Sequence, residues 1–382
     1  MLALALVAST ACFGWVDEIR VSTISEFRGA ASRAKAGDTI LLNPGDYPGG
    51  THLSGLSGTN KKPIVIGSLD PARPARFVGG GNAIQLSGCS WVTIRNLEAK
   101  GQSGNGFNVD DGGNKSRSVG IVLEGLAVSD LPPGNHDGIK LSGLTDFMVS
   151  NCKVEKWGGS AVDMVGCAKG IIQNCLFRNG GDSGVQAKGG SKNVSVTKCR
   201  FENYGQRGVN LGGSTGLAYF RPPIEEVPPG KRFEAQNIWV QGSTFVGGMA
   251  PIAFVGVDGA TVQFNTIVSP GRWALRILQE THSQDFIPCR NGVFKNNLVV
   301  FRSDQWSAGG VNIGPGTQPG TFKFEQNFWF CADLPAASTP SLPTRETAGI
   351  IGRDPQFVNS AVGDYRVKKG SPAEKIGAHA FK

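Results

Sequence analysis

The sequence is poor in the residues that metal, redox and nucleic-acid chemistry draw on most. Only four histidines, His52, His136, His282 and His379, are scattered over 382 residues. No C-x-x-C or H-x-x-x-H occurs, which argues against the paired-ligand spacings of zinc sites. Charged residues make up just 18%, and the 38 basic ones are interspersed among 30 acidic ones. With no recognised nucleic-acid motif, that dispersion argues against nucleic acid as a partner. The net +8 is a mild bias towards an anionic partner, or serves solubility alone. A long apolar run is also missing. The best candidate, MLALALVASTACFG, is too short to span a bilayer and reads as the apolar core of an export signal without its charged start. We therefore expect a signal-like segment at 1–16, a single domain over 17–382, no transmembrane segment, and a secreted or periplasmic location. Cys12, after Ser-Thr-Ala, has only a faint likeness to a lipid-anchoring site, and ordinary export is the preferred reading.

Helical periodicity is scarce as well. What takes its place is a motif recurring in register about every two dozen residues: GIKLSG from Gly138, AVDMVG from Ala161, GVQAKG from Gly184 and GVNLGG from Gly208. PIAFVG from Pro251, ALRILQ from Ala274 and GVNIGP from Gly310 fit more loosely. A second repeat runs between them: SNCKV, QNCLF, TKCRF, FNTIV, KNNLV. Units this short cannot bury their own apolar faces and must stack on their neighbours. Together with 55 glycines for tight turns, the pattern predicts an all-β, right-handed parallel β-helix. In the second repeat, Cys152, Cys175 and Cys199 share one position, expected later to hold Ser243, Thr266, Asn297 and Asn327. That predicts an interior ladder of small side chains, not a disulfide framework.

Strand alternation sends Ile139, Val162, Val185, Val209, Ile252, Leu275 and Val311 inward. Their successors Lys140, Asp163, Gln186, Asn210, Ala253, Arg276 and Asn312 should form one outward polar row. Ser142, Val165, Lys188 and Gly212 should form a second row beside it. An open polar sheet face of this kind suits a long polymer. Upstream, STISEFRGAASRAKAGDTILLNPGDY predicts an amphipathic helix capping the stack, followed by the first strand. Loop insertions are expected at about 100–118, where a glycine-rich stretch leaves the period, and at 214–236 and 279–292. The last two should rise on the side of Lys188 and wall a groove.

The pieces AGDTILLNPGDY, KKPIVIGSLDPARPARFVGGG and CSWVTIRNLEAKG, with VQAKGGSKNVSVTKCRFEN, resemble the chondroitinase B and alginate lyase family of the pectin lyase-like superfamily. The resemblance implies β-elimination from a uronate-containing polysaccharide, with a lysine base, an assisting arginine and a calcium held by acidic residues. Lys188 falls on the lysine position. The calcium ligands are not matched, since Asp182 is the only carboxylate just upstream, so calcium remains possible and the metal site unknown. Gly212 stands where the arginine would be placed, and Arg207 lies just before the strand. NHDGI at 135–139 also resembles the NTDGI strand of polygalacturonases, whose Gly-His-Gly and Arg-Ile-Lys motifs have no counterpart here.

Elimination needs a cation for the carboxylate, a base for the neighbouring proton and an acid for the leaving oxygen. The candidate catalytic residues are Lys188, Arg207, Asp163, Lys140 and His136. Lys140 and Arg207 beside Lys188 would lower its pKa towards a useful base. Asp163 would orient the lysines or serve as a hydrolytic acid. Candidate substrate contacts are Asp137, Asp182, Gln186, Asn210, Arg221, Arg272 and Arg276, the arginines for bidentate grip on a carboxylate. Against these stand structural roles: Asp137 and Asp182 as turn residues, Arg221 with Tyr219 and Phe220 as a loop staple. The expectation is a lyase acting on an acidic polysaccharide. The alternatives are a glycoside hydrolase using Asp163 with Asp137 or Asp182, and a non-catalytic carbohydrate-binding surface protein.

Overall fold

The computed structural model describes residues 18–113 and 118–382; the signal-like segment and Cys12 lie outside the described residues. Apart from one antiparallel pair near the C-terminal end, the strands gather into three parallel sheets of 14, 10 and 12 strands that run up the stack. The chain coils upward, so a residue's neighbour on the next strand comes from the next repeat. All seven inward residues predicted from the repeat are buried. Aromatic rings stack along the same axis, with Phe201 lying 5.1 Å from Phe177 and 4.6 Å from Phe245.

The N-terminal end is closed by a helix, Ile24–Ala31, which buries Phe27, Ala30 and Ala31. Thr23 accepts the Glu26 amide while Glu26 accepts the Thr23 amide, a reciprocal cap that fixes the helix start. The helix does not precede the first strand as expected. Glu18–Val21 comes before it and pairs with Thr39–Leu42, because IRV supplies a further edge for the stack. The insertion expected at 100–118 is also shorter. Phe107–Asp110 is a regular strand, with Phe107 and Val109 inward, and pairs on both sides in register. The glycines before it conceal an ordinary rung.

Coils turn on residues in the left-handed region, including Asn151, Asn174, Lys198, Phe264, Asn296 and Gln326. The residue after each turns inward and caps the backbone of the coil below. The Cys152 amide donates to Cys175 Sγ at 3.4 Å and Cys199 N to Ser243 Oγ at 3.1 Å. Above them Asn265, Asn297 and Asn327 each accept the preceding ladder amide at 3.0 Å. Asn265, not Thr266, is therefore the ladder member: Phe264 takes the left-handed position, and the inward residue follows directly. The described cysteines are all buried free thiols.

Candidate active site

The ten-stranded sheet carries the predicted rows in register. Lys140 pairs with Asp163, Asp163 with Gln186, Gln186 with Asn210, Asn210 with Ala253, Ala253 with Arg276 and Arg276 with Asn312. The row also runs further down through Asn108, Gln85 and His52. The expected row begins only at Lys140, although AIQLSG, itself an early coil, repeats the pattern of GIKLSG. Of the second row, Ser142 lies beside Val165 and Val165 beside Lys188, while the pairing with the next strand ends at Ala187 and Leu211, short of Gly212.

The face is not the open polar surface expected. Asp163, Asn210 and Ala253 are fully buried, because longer neighbours fold over them. Lys140 Nζ contacts Asp163 Oδ2 directly and lies 3.2 Å from Asp137 Oδ2. Lys188 Nζ stands 3.6 Å from Asp163 Oδ1, an oxygen that has no hydrogen bond among the described residues. The two carboxylates are 3% and 2% exposed, whereas Lys140 and Lys188 are 22% and 20% exposed. A ligand would meet two ammonium groups with carboxylates beneath them. Lys188 thus faces an opposite charge, not the like charges expected, since its side chain leans across the strand to the coil below.

Burial, and then the charge of Asp163, raise Asp137 above the ordinary carboxylate value. Burial works against the charge on Lys140, but Asp163 and Asp137 outweigh it and hold its pKa above that of a free lysine. Asp137 also accepts the Ser160 amide at 2.7 Å, so a structural task is joined to its charge pairing. Gln186 Oε1 accepts from Ser160 Oγ and from Lys188 Nζ, each at 3.4 Å. His136 lies at the entry to its strand, where its carbonyl accepts the Gly158 and Gly159 amides.

Arg207 is the first residue of its strand, Arg207–Gly212, and not a residue before it. Its guanidinium donates to Asn210 Oδ1 at 3.2 Å and forms a two-pronged pair with Glu280. Glu280, which sequence reasoning missed, comes from the second insertion and folds back over the sheet. Asp182 is exposed on the rim, where its carbonyl accepts the Arg207 amide at 3.2 Å; desolvation raises its carboxyl, and the charges of Arg207 and Lys188 oppose that rise. Further along, Arg276 donates to Asn312 Oδ1 at 3.0 Å, and Arg272 and Arg276 lie 4.3 and 4.7 Å from the ring centre of Trp273.

Both insertions leave the sheet at the edge where Lys188 stands. A buried carboxylate, Glu234, ties them to it. It accepts the Gly189 amide at 2.9 Å, the Thr215 amide at 3.0 Å, and the hydroxyls of Thr215 and Thr281 at 2.8 and 2.6 Å. Nothing periodic marks Glu234 in the sequence. Arg221 takes the stapling role: it binds Asp111 at 2.8 Å. Its Cβ packs where a side chain on Gly166 would sit, 2.1 Å away, so that turn requires glycine. Stacking of Arg221 on a sugar is thereby displaced by a contact within the protein.

The calcium implied by the family resemblance does not fit this donor set. Asp137 and Asp163 already share the Lys140 ammonium, and among the described residues no group of three or more His, Cys, Asp or Glu is placed to hold a metal ion. Among the described residues, too, no helix is long and apolar enough to cross a membrane.

The family model described as "Right handed beta helix region" matches residues 82–220. No curated protein matches the chain by sequence. Among solved structures, it is similar to an alginate lyase from Paenibacillus sp. strain FPU-7 at 17% identity and TM-score 0.54, covering 77% of this chain and 99% of that one. It is similar to a PL6 family polysaccharide lyase from Pseudopedobacter saltans at 12% identity and TM-score 0.56, covering 94% and 99%. A GH136 lacto-N-biosidase from Eubacterium ramulus matches at 14% identity and TM-score 0.52, over 84% of this chain and 63% of that one. At such identities the likeness speaks to architecture, and it agrees with the coil-by-coil register: the chain is a right-handed parallel β-helix.

Proposed function

We propose that the protein is an exported polysaccharide lyase that cleaves a uronate-containing polymer by β-elimination. One observation carries this reading: Lys140 and Lys188 stand over carboxylates that are themselves shut away from solvent, and Arg207 adds a guanidinium on the next coil, paired with Glu280. Such a floor attracts an acidic sugar and can hold its carboxylate. Export rests on the signal-like opening of the sequence, and the fold's lyase neighbours are consistent with a polysaccharide substrate.

In this mechanism Lys188 first passes its own proton to solvent and, as the neutral amine, takes the proton beside the uronate carboxylate. The C–H electron pair becomes the new carbon–carbon double bond as the glycosidic C–O bond breaks, and the leaving oxygen needs a proton. Asp182, an exposed carboxyl whose backbone carbonyl holds the Arg207 amide, is assigned to supply it. Arg207 binds the uronate carboxylate once Glu280 gives way. Lys140 is held by two carboxylates and positions Asp163 beneath Lys188. The hydrolase alternative with Asp163 and Asp137 is disfavoured, since neither buried carboxylate is open to a glycosidic oxygen or an attacking water.

The test is incubation with a panel of uronate polymers. Ultraviolet absorbance from an unsaturated uronyl end is the expected result. New reducing ends without that absorbance would mean hydrolysis, and neither signal would leave a carbohydrate-binding surface.

A further inference from the structure

Three coils beyond Lys188, the same outer face holds a second cationic feature. Trp273 is almost fully buried, and the guanidiniums of Arg272 and Arg276 both lie against its ring. Among the described residues neither arginine is ion-paired; the carboxylate nearest in charge terms, Glu280, is already engaged by Arg207. Asn312 holds the Arg276 Nε at 3.0 Å, which fixes the direction of the fork. Burial, and then the nearby charges of Arg207 and Arg272, press on the Arg276 charge. Two guanidiniums held against one ring, neither with an internal anion among the described residues, form a site that gains when an external anion arrives.

We infer that Arg272 and Arg276, on their Trp273 platform, form a second anion subsite for a sugar carboxylate remote from the bond being broken. The inference rests on the uronan reading above and narrows it. The rungs run from Gln186 through Asn210 and Ala253 to Arg276. At roughly 4.8 Å per coil the subsite lies about 14 Å along the groove. A 1,4-linked uronan advances by a comparable distance per sugar, so one coil accounts for one unit. The ligand is therefore an oligouronide of at least four units, laid across the strands and anionic at both ends of that span. A short oligouronate would reach only one of the two cationic spots, and a neutral oligosaccharide would pair with neither.

The experiment measures binding of defined oligouronates from alginate and polygalacturonate, two to six units long, to the Lys188→Ala protein by calorimetry. Carboxyl-reduced oligomers of the same lengths serve as controls. Tetramers and longer are expected to bind at least tenfold tighter than dimers, and the reduced oligomers should show no such gain. Arg276→Gln should remove the length gain while leaving dimer affinity unchanged. Arg272→Gln, at an exposed position that carries no folding risk, should remove part of it. An unchanged length gain in both variants, or an equal gain for reduced oligomers, overturns the subsite. Failure of every oligomer to bind even the unaltered protein overturns it together with the functional reading. Length-dependent binding by an unaltered protein that turns nothing over upholds the subsite and removes only the lyase reading.

Discussion

Replacing Lys140 by Met tests the charge arrangement most directly. The substitution keeps most of the side chain's volume and removes the one ammonium shared by Asp137 and Asp163. Removing one partner of a buried ion pair costs about 3–5 kcal/mol, because the remaining charge stays desolvated. Here two carboxylates are left, but there is relief. Lys188 remains 3.6 Å from Asp163, and Asp137, already raised by burial and by Asp163, can take up a proton. We therefore expect about 3 kcal/mol at neutral pH, the lower end of that range.

The pH dependence follows from the signs. A carboxyl group whose folded pKa is raised contributes stability that is complete below its unfolded pKa and lost as pH rises through the folded one. Without Lys140, Asp137 rises further, so the variant comes closest to the unaltered protein in acid and falls behind towards neutrality. Lys140 itself is raised. Its contribution is complete below the ordinary lysine pKa and disappears only as pH climbs past the folded value, so the two proteins converge again in strong alkali. Urea unfolding followed by circular dichroism across that pH range gives the difference curve. Adding Asp163→Asn to Lys140→Met should recover part of the loss, since the two side chains are coupled. A neutral-pH cost below about 1 kcal/mol, flat with pH, would refute the reasoning, for it would mean that the carboxylates are not desolvated against Lys140.

Lys188→Ala should lower turnover by about 10²–10⁴-fold, the usual contribution of a positioned proton-transfer group, and cost about 1–3 kcal/mol in urea unfolding because Asp163 Oδ1 loses the charge that faces it; full activity in a uronan assay would remove the lyase mechanism as drawn. Tyr204 is wholly buried and its hydroxyl has no partner among the described residues, so Tyr204→Phe should stabilise by about 1 kcal/mol in urea unfolding, and a loss of stability would reveal an unseen partner. Asn297→Ala strips the cap from the Asn265 amide and two donated bonds to Val262 and Asn327. It should cost about 2–4 kcal/mol, since each buried orphan carries a penalty of about 1–3 kcal/mol; a neutral outcome would mean that the ladder is ornamental.

The fold was legible because strand alternation is local: Ile139 and Lys140 announce their faces from two adjacent positions, and the repeat then stacks them. The same locality explains why Thr266 was misplaced by one. Phe264 in a left-handed turn looks like part of a strand, and only backbone geometry marks Asn265 as the residue that turns inward. The site was legible as a list of side chains but not as a surface. Whether Asp163 lies open depends on how far Lys140 and Lys188 reach across from their own coils. Glu280 and Glu234 were out of reach altogether, because their partners lie 73 and 45 residues away and come from insertions without a period.

The corner after each strand of the ten-stranded sheet admits very different lengths of chain. Two or three residues suffice after Lys188, whereas more than twenty follow Gly212, yet Asn210 and Ala253 remain adjacent rungs. Loop closure grows costlier only slowly with length, so extra chain enters there without moving the floor. Reactivity and selectivity are thus encoded in separable stretches: the rungs hold the proton-transfer groups at fixed spacing, and the corners are free to vary what surrounds them. A transplant of the stretch between Gly212 and Ala235 could redirect the choice of polymer while leaving Lys188 in place, provided the graft brings a carboxylate to the position of Glu234.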